Sequence, residues 1–452
     1  MGVNRMKGEV IAHNTGRSVT KNNITAKGRL FMRGMKLGLV IFAAVLLTLA
    51  LGGLAYAFHS GGVAECGGCH SMHAPKAGGS FLLIGTDPSS TCLSCHEVAG
   101  LGTPSSYHIS TANADMATGV PPKQRTPGGD FGWLKKTYTF TVRGTTTIEN
   151  GDTHGHNIVA VDLGYAADAT LTTAPGGTFP SSQMGCQTCH DPHGRTRRLS
   201  DGTLVNGSTL GLKTAPIIGS GSYNTSATPV GDQAIGVYRL LRGAGDTAIP
   251  GANFATSVIA VAPSTYNQTE ATNQVRVAYG ASGTNTWGNW CATCHPSMHS
   301  SGNYVHPVDN NLGGVANTYN AYKMSGDLTG LPATSFLSLV PFAENTNDLT
   351  ILRPHASNTG TYLTGPGSSD KVMCLSCHRA HASGFPEMLR WQMEGEFITY
   401  NSLWPGTDTT PTVPQFARGR LAAETQAAYY DRLPTTFASY QRVLCNKCHA
   451  KD

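Results

Sequence analysis

The sequence predicts a mostly coil protein with short helices and few short strands. Its 452 residues include 54 glycines and 24 prolines, and only 13% are charged, a composition that favours turns over long regular elements. Few stretches have a regular hydrophobic period: residues 137–147 predict a strand pair, and short helices are expected over 314–324, 386–400 and 419–430. Against this irregular background, one five-residue cysteine pattern occurs six times.

The repeated pattern is Cys-x-x-Cys-His, and it accounts for all twelve cysteines. Two thiols at this spacing can bond to one porphyrin while the adjacent imidazole meets its iron, so the pattern is typical of c-type haem attachment. Disulfides or zinc sites would explain paired cysteines but not a histidine after every pair. We therefore predict six covalently bound haem c groups. The motifs are Cys66/Cys69/His70, Cys92/Cys95/His96, Cys186/Cys189/His190, Cys291/Cys294/His295, Cys374/Cys377/His378 and Cys445/Cys448/His449.

These six groups also determine the expected architecture. From the second motif onward, successive motifs begin 71 to 105 residues apart. A chain so poor in regular elements builds only a weak conventional core, and six large apolar porphyrins can supply that core instead. We expect a single hexahaem unit over residues 58–452, a multihaem c-type cytochrome organised around a continuous haem stack. No repeat is evident beyond the haem motif itself.

Residues 1–57 predict a secretory signal peptide, which starts at Met1, Met32 or Met35. Residues 1–36 carry eight Lys or Arg and one acidic residue, and an uncharged apolar run then ends in Ala-Tyr-Ala. A basic region, an apolar region and a small-x-small exit are the three parts of such a signal. A retained membrane anchor is the alternative, because the apolar run is long enough to span a bilayer.

The positive net charge of the whole chain belongs to this leader. The chain has 32 basic and 27 acidic residues, and without the leader 24 and 26 remain, a net charge of −2. A mature protein of this charge lacks the basic surface that nucleic acids require. We therefore expect no nucleic-acid partner.

Six irons need six further axial ligands, and the mature chain has histidines to spare. His73, His193 and His381 each follow a motif histidine by three residues, and His299 follows His295 by four. Residues three or four apart share a helix face, so each of these should reach a haem other than the one held by its own motif. The remaining candidates are His59, His108, His154, His156, His306 and His355.

One of these ten candidates is weaker than the rest, because His154 crowds His156 two residues away. The others suffice for bis-histidine ligation at every iron. Methionine is the competing ligand and would raise the reduction potential, but methionine side chains more often serve in packing. We expect bis-histidine sites of low potential.

Electron transfer is the predicted function, and no enzyme activity is expected. Nothing in the sequence marks an iron with an open position for a substrate. Two alternatives stay open: a monomeric electron shuttle of the periplasm or outer surface, and a multihaem reductase of a small oxyanion. The reductase requires a five-coordinate iron, whereas the shuttle uses the same six sites.

The sequence around the motifs is more distinctive than the motifs are. The distinctive stretches are FHSGGVAECGGCHSMH (58–73), PSSYHISTANADM (104–116), TPGGDFGWLKKTYTF (126–140), GHNIVA (155–160), CHDPHG (189–194), VAPSTYN (261–267), VRVAYG (275–280), CLSCHRAHASGF (374–385) and LCNKCHAKD (444–452). In this order they resemble the OmcS-like family of extracellular hexahaem c-type cytochromes, the nanowire cytochromes of metal-respiring bacteria. The resemblance covers nearly all of the mature chain.

This resemblance implies a secreted protein that reaches the outer cell surface through the periplasm and polymerises head to tail into conductive filaments. It implies that His73 of one subunit ligates the haem at His378 of the next subunit. Extracellular acceptors such as metal oxides, and other cytochromes, are the implied partners. The segment between His73 and Cys92 is shorter than in the family, so a close paralogue with altered assembly is an alternative. The candidates with family counterparts are His59, His108, His156, His193 and His381, and His154 has none.

Overall fold

The computed structural model describes residues 66–76, 81–98, 107–206, 217–300 and 306–449. Most of this chain is irregular and its helices and strands are short, which confirms the predicted fold class. Residues from Ala57 onward form one compact unit. The predicted signal peptide and the candidate ligand His59 lie outside the described residues. Within the described ranges, no helix has the length and apolarity needed to cross a bilayer.

The α-helices of the described chain run from four to nine residues. They are α1 Cys66–Cys69, α2 Pro88–His96, α3 Cys186–Cys189, α4 Trp287–Cys291, α5 Pro296–Ser300, α6 Val315–Ala321, α7 Leu349–His355, α8 Cys374–Cys377, α9 Pro414–Ala417, α10 Ala422–Ala428 and α11 Asn446–His449. Single 3₁₀ turns lie at Asn113–Asp115, Phe131–Lys135, Gly151–His154, Val161–Leu163, Ser181–Gln183, Tyr238–Leu240, Pro332–Thr334, Pro386–Met388 and Pro434–Thr436.

Two of the three predicted helices are present in shortened form, as α6 and α10. The helix predicted over 386–400 is wrong, because the chain there makes one turn and continues as coil. Its second and third residues, Glu387 and Met388, have φ of 54° and 58°. That left-handed conformation cannot continue a right-handed helix.

The strands form small separate sheets. They are β1 Glu97–Val98, β2 Ser110–Thr111, β3 Tyr138–Val142, β4 Thr145–Glu149, β5 Thr196–Leu199, β6 Leu204–Asn206, β7 Ala234–Gly236, β8 Ile259–Val261, β9 Ala278–Gly280 and β10 Ala343–Glu344. The predicted strand pair is the antiparallel hairpin β3–β4, in register from Tyr138 opposite Glu149 to Val142 opposite Thr145. The other sheets have the strand orders β1-β2, β6-β5-β7 and β10-β9-β8.

Buried apolar residues form several separate clusters. The largest includes Trp133, Trp391 and Trp404, and a second surrounds Tyr238 and Trp287. Buried ion pairs between distant segments accompany these clusters. The Arg432–Glu270 pair (2.7 Å) and the Arg276–Glu344 pair (3.1 Å) are examples. Such clusters order irregular segments that have few backbone ladders of their own.

Candidate haem-binding sites

The six motifs define six candidate sites, which we number by their histidines. Site 1 is at His70, site 2 at His96, site 3 at His190, site 4 at His295, site 5 at His378 and site 6 at His449. At the odd-numbered sites the two cysteines are the first and last residues of the four-residue helices α1, α3 and α8. One helical turn places residues i and i+3 on one face, as two bonds to one porphyrin require. All twelve cysteines are described, and none forms a disulfide.

The motif histidines are held in one tautomer. At five sites the imidazole Nδ1 lies 2.6–2.9 Å from a backbone carbonyl oxygen. A carbonyl only accepts, so Nδ1 must donate, and the lone pair of Nε2 is left for a metal. The accepting residues of sites 1 to 5 are Phe81, Tyr107, Arg239, Pro175 and Glu387.

Each motif is a neighbour of the next one in chain order, because its cysteines affect those of the next motif. The thiol of Cys186 is the main cause that raises the pKa of Cys92, and the thiol of Cys374 is the main cause that raises the pKa of Cys291. At the other joints, burial and then a cysteine of the next site raise the thiol pKa. The pairs concerned are Cys69 with Cys95, Cys189 with Cys294, and Cys377 with Cys445.

Four motif histidines face a second histidine from elsewhere in the chain. Imidazoles bind first-row metals at about 2.0 Å, so two rings on opposite faces of one iron have centroids about 6 Å apart. The four pairs have centroid separations of 6.1–6.5 Å. They are His70–His193, His190–His381, His295–His156 and His449–His306.

At sites 3 and 5, the histidine three residues after the motif histidine faces the preceding odd-numbered site. His193 of site 3 faces site 1, and His381 of site 5 faces site 3. His73 of site 1 is exposed and makes no hydrogen bond or ring contact within the described ranges. Site 5 has no facing histidine among the described residues, since no described histidine ring lies within 6.5 Å of His378.

Three predicted candidates have nitrogens with other partners, and a fourth, His108, has a ring contact with Tyr107. His154 is fully buried and uses both nitrogens, Nδ1 on the Trp133 carbonyl at 3.0 Å and Nε2 on Glu149 at 2.8 Å. The Nε2 of His299 lies 3.1 Å from a carboxylate oxygen of Asp309.

His355 and His108 have contacts with residues other than the motif histidines. Nδ1 of His355 lies 2.6 Å from Glu344, and its ring stacks on Tyr362. His108 directly follows the residue whose carbonyl accepts from Nδ1 of His96. The His108 ring contacts that of Tyr107, with centroids 4.3 Å apart, and its Nδ1 has no hydrogen-bond partner within the described chain.

The odd-numbered sites share a turn that the sequence did not reveal. The carbonyl that accepts from each motif histidine begins a pair of residues with positive φ, between 51° and 58°. The next residue is a leucine that forms an antiparallel bridge with the motif histidine. We call these pairs the left-handed turns. They are Phe81-Leu82 before Leu83, Arg239-Leu240 before Leu241, and Glu387-Met388 before Leu389.

The left-handed turns recur at the odd-numbered sites in the structure, although no sequence repeat marks them. They begin 11, 49 and 9 residues after their histidines, so no fixed period connects turn and motif. Their residue types also differ, apart from the leucine. Non-glycine residues with positive φ are strained and cluster at functional positions, which fits the place of these turns beside the candidate ligands.

The surroundings fit a haem group with its two carboxylates. Several buried donors have no partner within the described chain, among them Arg239 Nη2, Arg379 Nε and Trp287 Nε1. Unpartnered buried donors are rare, and a carboxylate is the natural acceptor for a guanidinium. Together with paired thiols and oriented imidazoles, the residues present match the chemistry of covalent haem.

Comparisons with known proteins agree with this chemistry. The chain is 51% identical over 447 residues to the C-type cytochrome OmcS of Geobacter sulfurreducens, covering 93% of this chain and all of that protein. It is similar to two solved structures, described as OmcS nanowires and as an outer membrane cytochrome S filament of the same organism. Both are 49% identical and cover 87% of this chain and all of theirs, with TM-scores of 0.79 and 0.78. No family model matches the sequence.

Proposed function

The chain belongs to the family of the C-type cytochrome OmcS, and from that premise we propose that it is a six-haem electron conductor that polymerises head to tail outside the cell. Family membership makes it an electron-transfer protein with covalently bound haem c. The relatives of known structure are described as a nanowire and a filament. The number of haems, the ligand set and the subunit contact are the parts proposed here.

The observation that carries the proposal is the succession of odd-numbered sites. Within one chain, His193 of site 3 faces site 1 and His381 of site 5 faces site 3, so each faces the odd-numbered site before its own. Among the residues that the structure describes, the series leaves His73 at one end and His378 at the other without a facing histidine. A second copy in the same orientation would continue the series, with its His73 on site 5 of the first copy. Such a heterologous contact does not close on itself and produces a filament.

The full ligand set follows from the same geometry. We assign His193, His381, His156 and His306 to sites 1, 3, 4 and 6, and His73 of the next subunit to site 5. We assign His59 to site 2, the site that remains, and leave out His108 because its ring contacts that of Tyr107. His154, His299 and His355 are left out, because their nitrogens have other partners. This gives six bis-histidine sites and uses all twelve cysteines.

The chain's own residues bind and orient the redox groups. When bound, haem supplies an iron that alternates between the ferric and ferrous states and so passes single electrons. Backbone carbonyls fix the donor nitrogen of the motif histidines, and buried arginines offer charge to carboxylates. The two histidines proposed for each iron leave no open position for a substrate, which argues against the reductase.

Export and partners complete the proposal. Residues 1–57 would direct the chain across the inner membrane to the periplasm, where covalent haem attachment precedes release to the outer surface. Extracellular acceptors such as metal oxides, and other cytochromes, would take the electrons.

The substitution His73→Ala tests the proposal. We expect a secreted protein that carries six haems by intact mass, has one altered haem spectrum and forms no filaments by electron microscopy. His299→Ala is the matched control, since His299 also follows a motif but contacts Asp309, and it should polymerise normally. Normal filaments from His73→Ala would sink the proposed contact. Absence of filaments from the wild-type protein would favour the monomeric shuttle.

A further inference from the structure

Each left-handed turn is followed by a leucine that pairs with the motif histidine, and the residue after that leucine differs among the odd-numbered sites. Its backbone N–H donates to the carbonyl of the second motif cysteine in all three cases, at 2.8–3.0 Å. Its side chain is Arg242 at site 3, Arg390 at site 5 and Ile84 at site 1. The backbone hydrogen bond of this residue is therefore the same at the three sites, and only its side chain differs.

The two arginines make the same hydrogen bond. Nε of Arg242 donates to the carbonyl of Gln187 at 2.7 Å, and Nε of Arg390 donates to that of Leu375 at 2.6 Å. Gln187 and Leu375 are equivalent residues, because each follows the first cysteine of its motif. The bond thus connects the left-handed turn to the helical turn that carries both cysteines.

Both guanidinium groups are buried and held by further bonds. Arg242 and Arg390 are 5% and 2% exposed. Nη1 of Arg242 pairs with Asp246 at 2.8 Å, and Nη1 of Arg390 donates to the carbonyl of Ser338 at 3.1 Å. A planar guanidinium with several bonds has little freedom, so each arginine is a rigid connector.

Site 1 has the turn without the connector. Ile84 has no donor on its side chain and is 36% exposed. The turn at this site is held by the hydrogen bond from His70 to the Phe81 carbonyl (2.8 Å) and by three backbone bonds, from Ser71 to Leu82 (2.7 Å), from Lys76 to Leu83 (3.2 Å) and from Ile84 to Cys69 (3.0 Å).

We infer that Arg242 and Arg390 are positioning residues that lock the proximal imidazoles of sites 3 and 5, and that site 1 is the unlocked member of the series. The lock fixes the carbonyl that orients each imidazole relative to the cysteines of the same motif. Site 1 can then adjust its imidazole when a second copy contacts the adjacent His73. The inference rests on the proposed haem sites, while the lock itself is a property of the chain.

Hydrogen–deuterium exchange of the haem-loaded protein tests the lock. Arg390→Met should accelerate exchange of the amides of residues 379 and 390 by roughly tenfold or more, because a charge-assisted bond is lost. The turns of sites 1 and 3 should keep their rates. The low-spin electron paramagnetic resonance spectrum should shift for one haem, since imidazole orientation affects it. Arg143→Met, at an exposed hairpin position, is the control and should change neither.

The converse substitution protects the test against misfolding of the first variant. Ile84→Arg should slow exchange of the amides of residues 71 and 84, because it supplies the missing connector. Unchanged rates in both variants, or equal acceleration of all three turns in Arg390→Met, would overturn the inference. Intact mass on the same samples counts the haems, so a number below six contradicts the proposed function, while the exchange rates still decide the lock.

Discussion

His381 and His73 occupy the same position after their motifs and have opposite surroundings. The segment that carries His381 lies between two backbone stretches: its N–H donates to the Gly128 carbonyl at 2.8 Å, and its carbonyl accepts from His156 at 2.9 Å. Its ring stacks on Phe131 with centroids 4.7 Å apart. His73 is exposed and has no such contacts within the described residues.

The difference shows how one local motif serves both the interior and the proposed joint. Burial, with the neighbouring His190 and His156, lowers the pKa of His381 to about 3. Its imidazole therefore stays neutral, which is the form that binds a metal. Within a chain, packing prepares the second ligand in advance. At a joint, the ligand must stay accessible until another copy arrives.

The largest loss of stability is expected when the buried ion pair between Arg420 and Glu149, near the segment of His381, is removed. Arg420 is 1% exposed, donates to the Gly384 carbonyl at 3.0 Å, and pairs with Glu149. Arg420→Met would remove the nearer of the two arginines that pair with the buried Glu149 carboxylate and leave only Arg418 at 3.7 Å, at a cost of about 3 kcal/mol. Thermal unfolding followed by circular dichroism measures it. The exposed pair Arg442–Glu396 provides the control, and Arg442→Met should cost less than about 1 kcal/mol.

A second test disturbs the backbone beside His381. Gly129 has φ of 95°, and a Cβ there would overlap the carbonyl oxygen of Ala382. Gly129→Ala should displace this segment and destabilise the fold by about 3 kcal/mol. Gly144→Ala, at a φ of 81° with open space around it, should cost only about 1 kcal/mol. Equal unfolding temperatures for the two variants would argue against tight backbone packing around His381.

The third test uses pH to probe the same region. Burial raises the pKa of Glu149, but the hydrogen bond from His154 and the charge of Arg420 outweigh it and lower the pKa to about 2. A carboxyl with a depressed folded pKa stabilises the fold above its unfolded pKa near 4.5, and this contribution disappears as pH falls towards 2.

Glu149→Gln removes that contribution. The wild-type protein should exceed the variant by about 3 kcal/mol at pH 6, and the gap should shrink between pH 4.5 and pH 2. Unfolding temperatures at several pH values measure it. A gap that is constant with pH would mean that Glu149 acts through packing alone.

The smallest change in the free energy of unfolding is expected from a substitution at His193. The His193 side chain is 68% exposed, so His193→Met should change the free energy of unfolding by less than about 1 kcal/mol. A histidine–methionine iron has a higher potential than a bis-histidine iron. A potentiometric titration should therefore show one of six haems at higher potential, and His299→Met should leave the titration unchanged.

Much of the local chemistry was legible in the sequence. The six motifs needed only five adjacent residues each, and the strand pair over residues 137–147 followed from the alternation of apolar and polar residues. The helix predicted over 386–400 failed because Glu387 and Met388 adopt left-handed conformations. Propensity does not anticipate this, since the strain is sustained by tertiary bonds to site 5.

The sequence by itself determined where haem attachment is proposed, because attachment depends on a thiol pair and an imidazole within one turn. It also supplied the set of histidines from which second ligands are drawn. Only the tertiary structure decided which of them face which site, as with His306 opposite His449 and His156 opposite His295. The physical reason is that an axial pair joins residues more than a hundred positions apart, and only packing brings such residues together. The left-handed turns belong to the same class: their spacing from the motif varies, and only the folded backbone shows that they are one device.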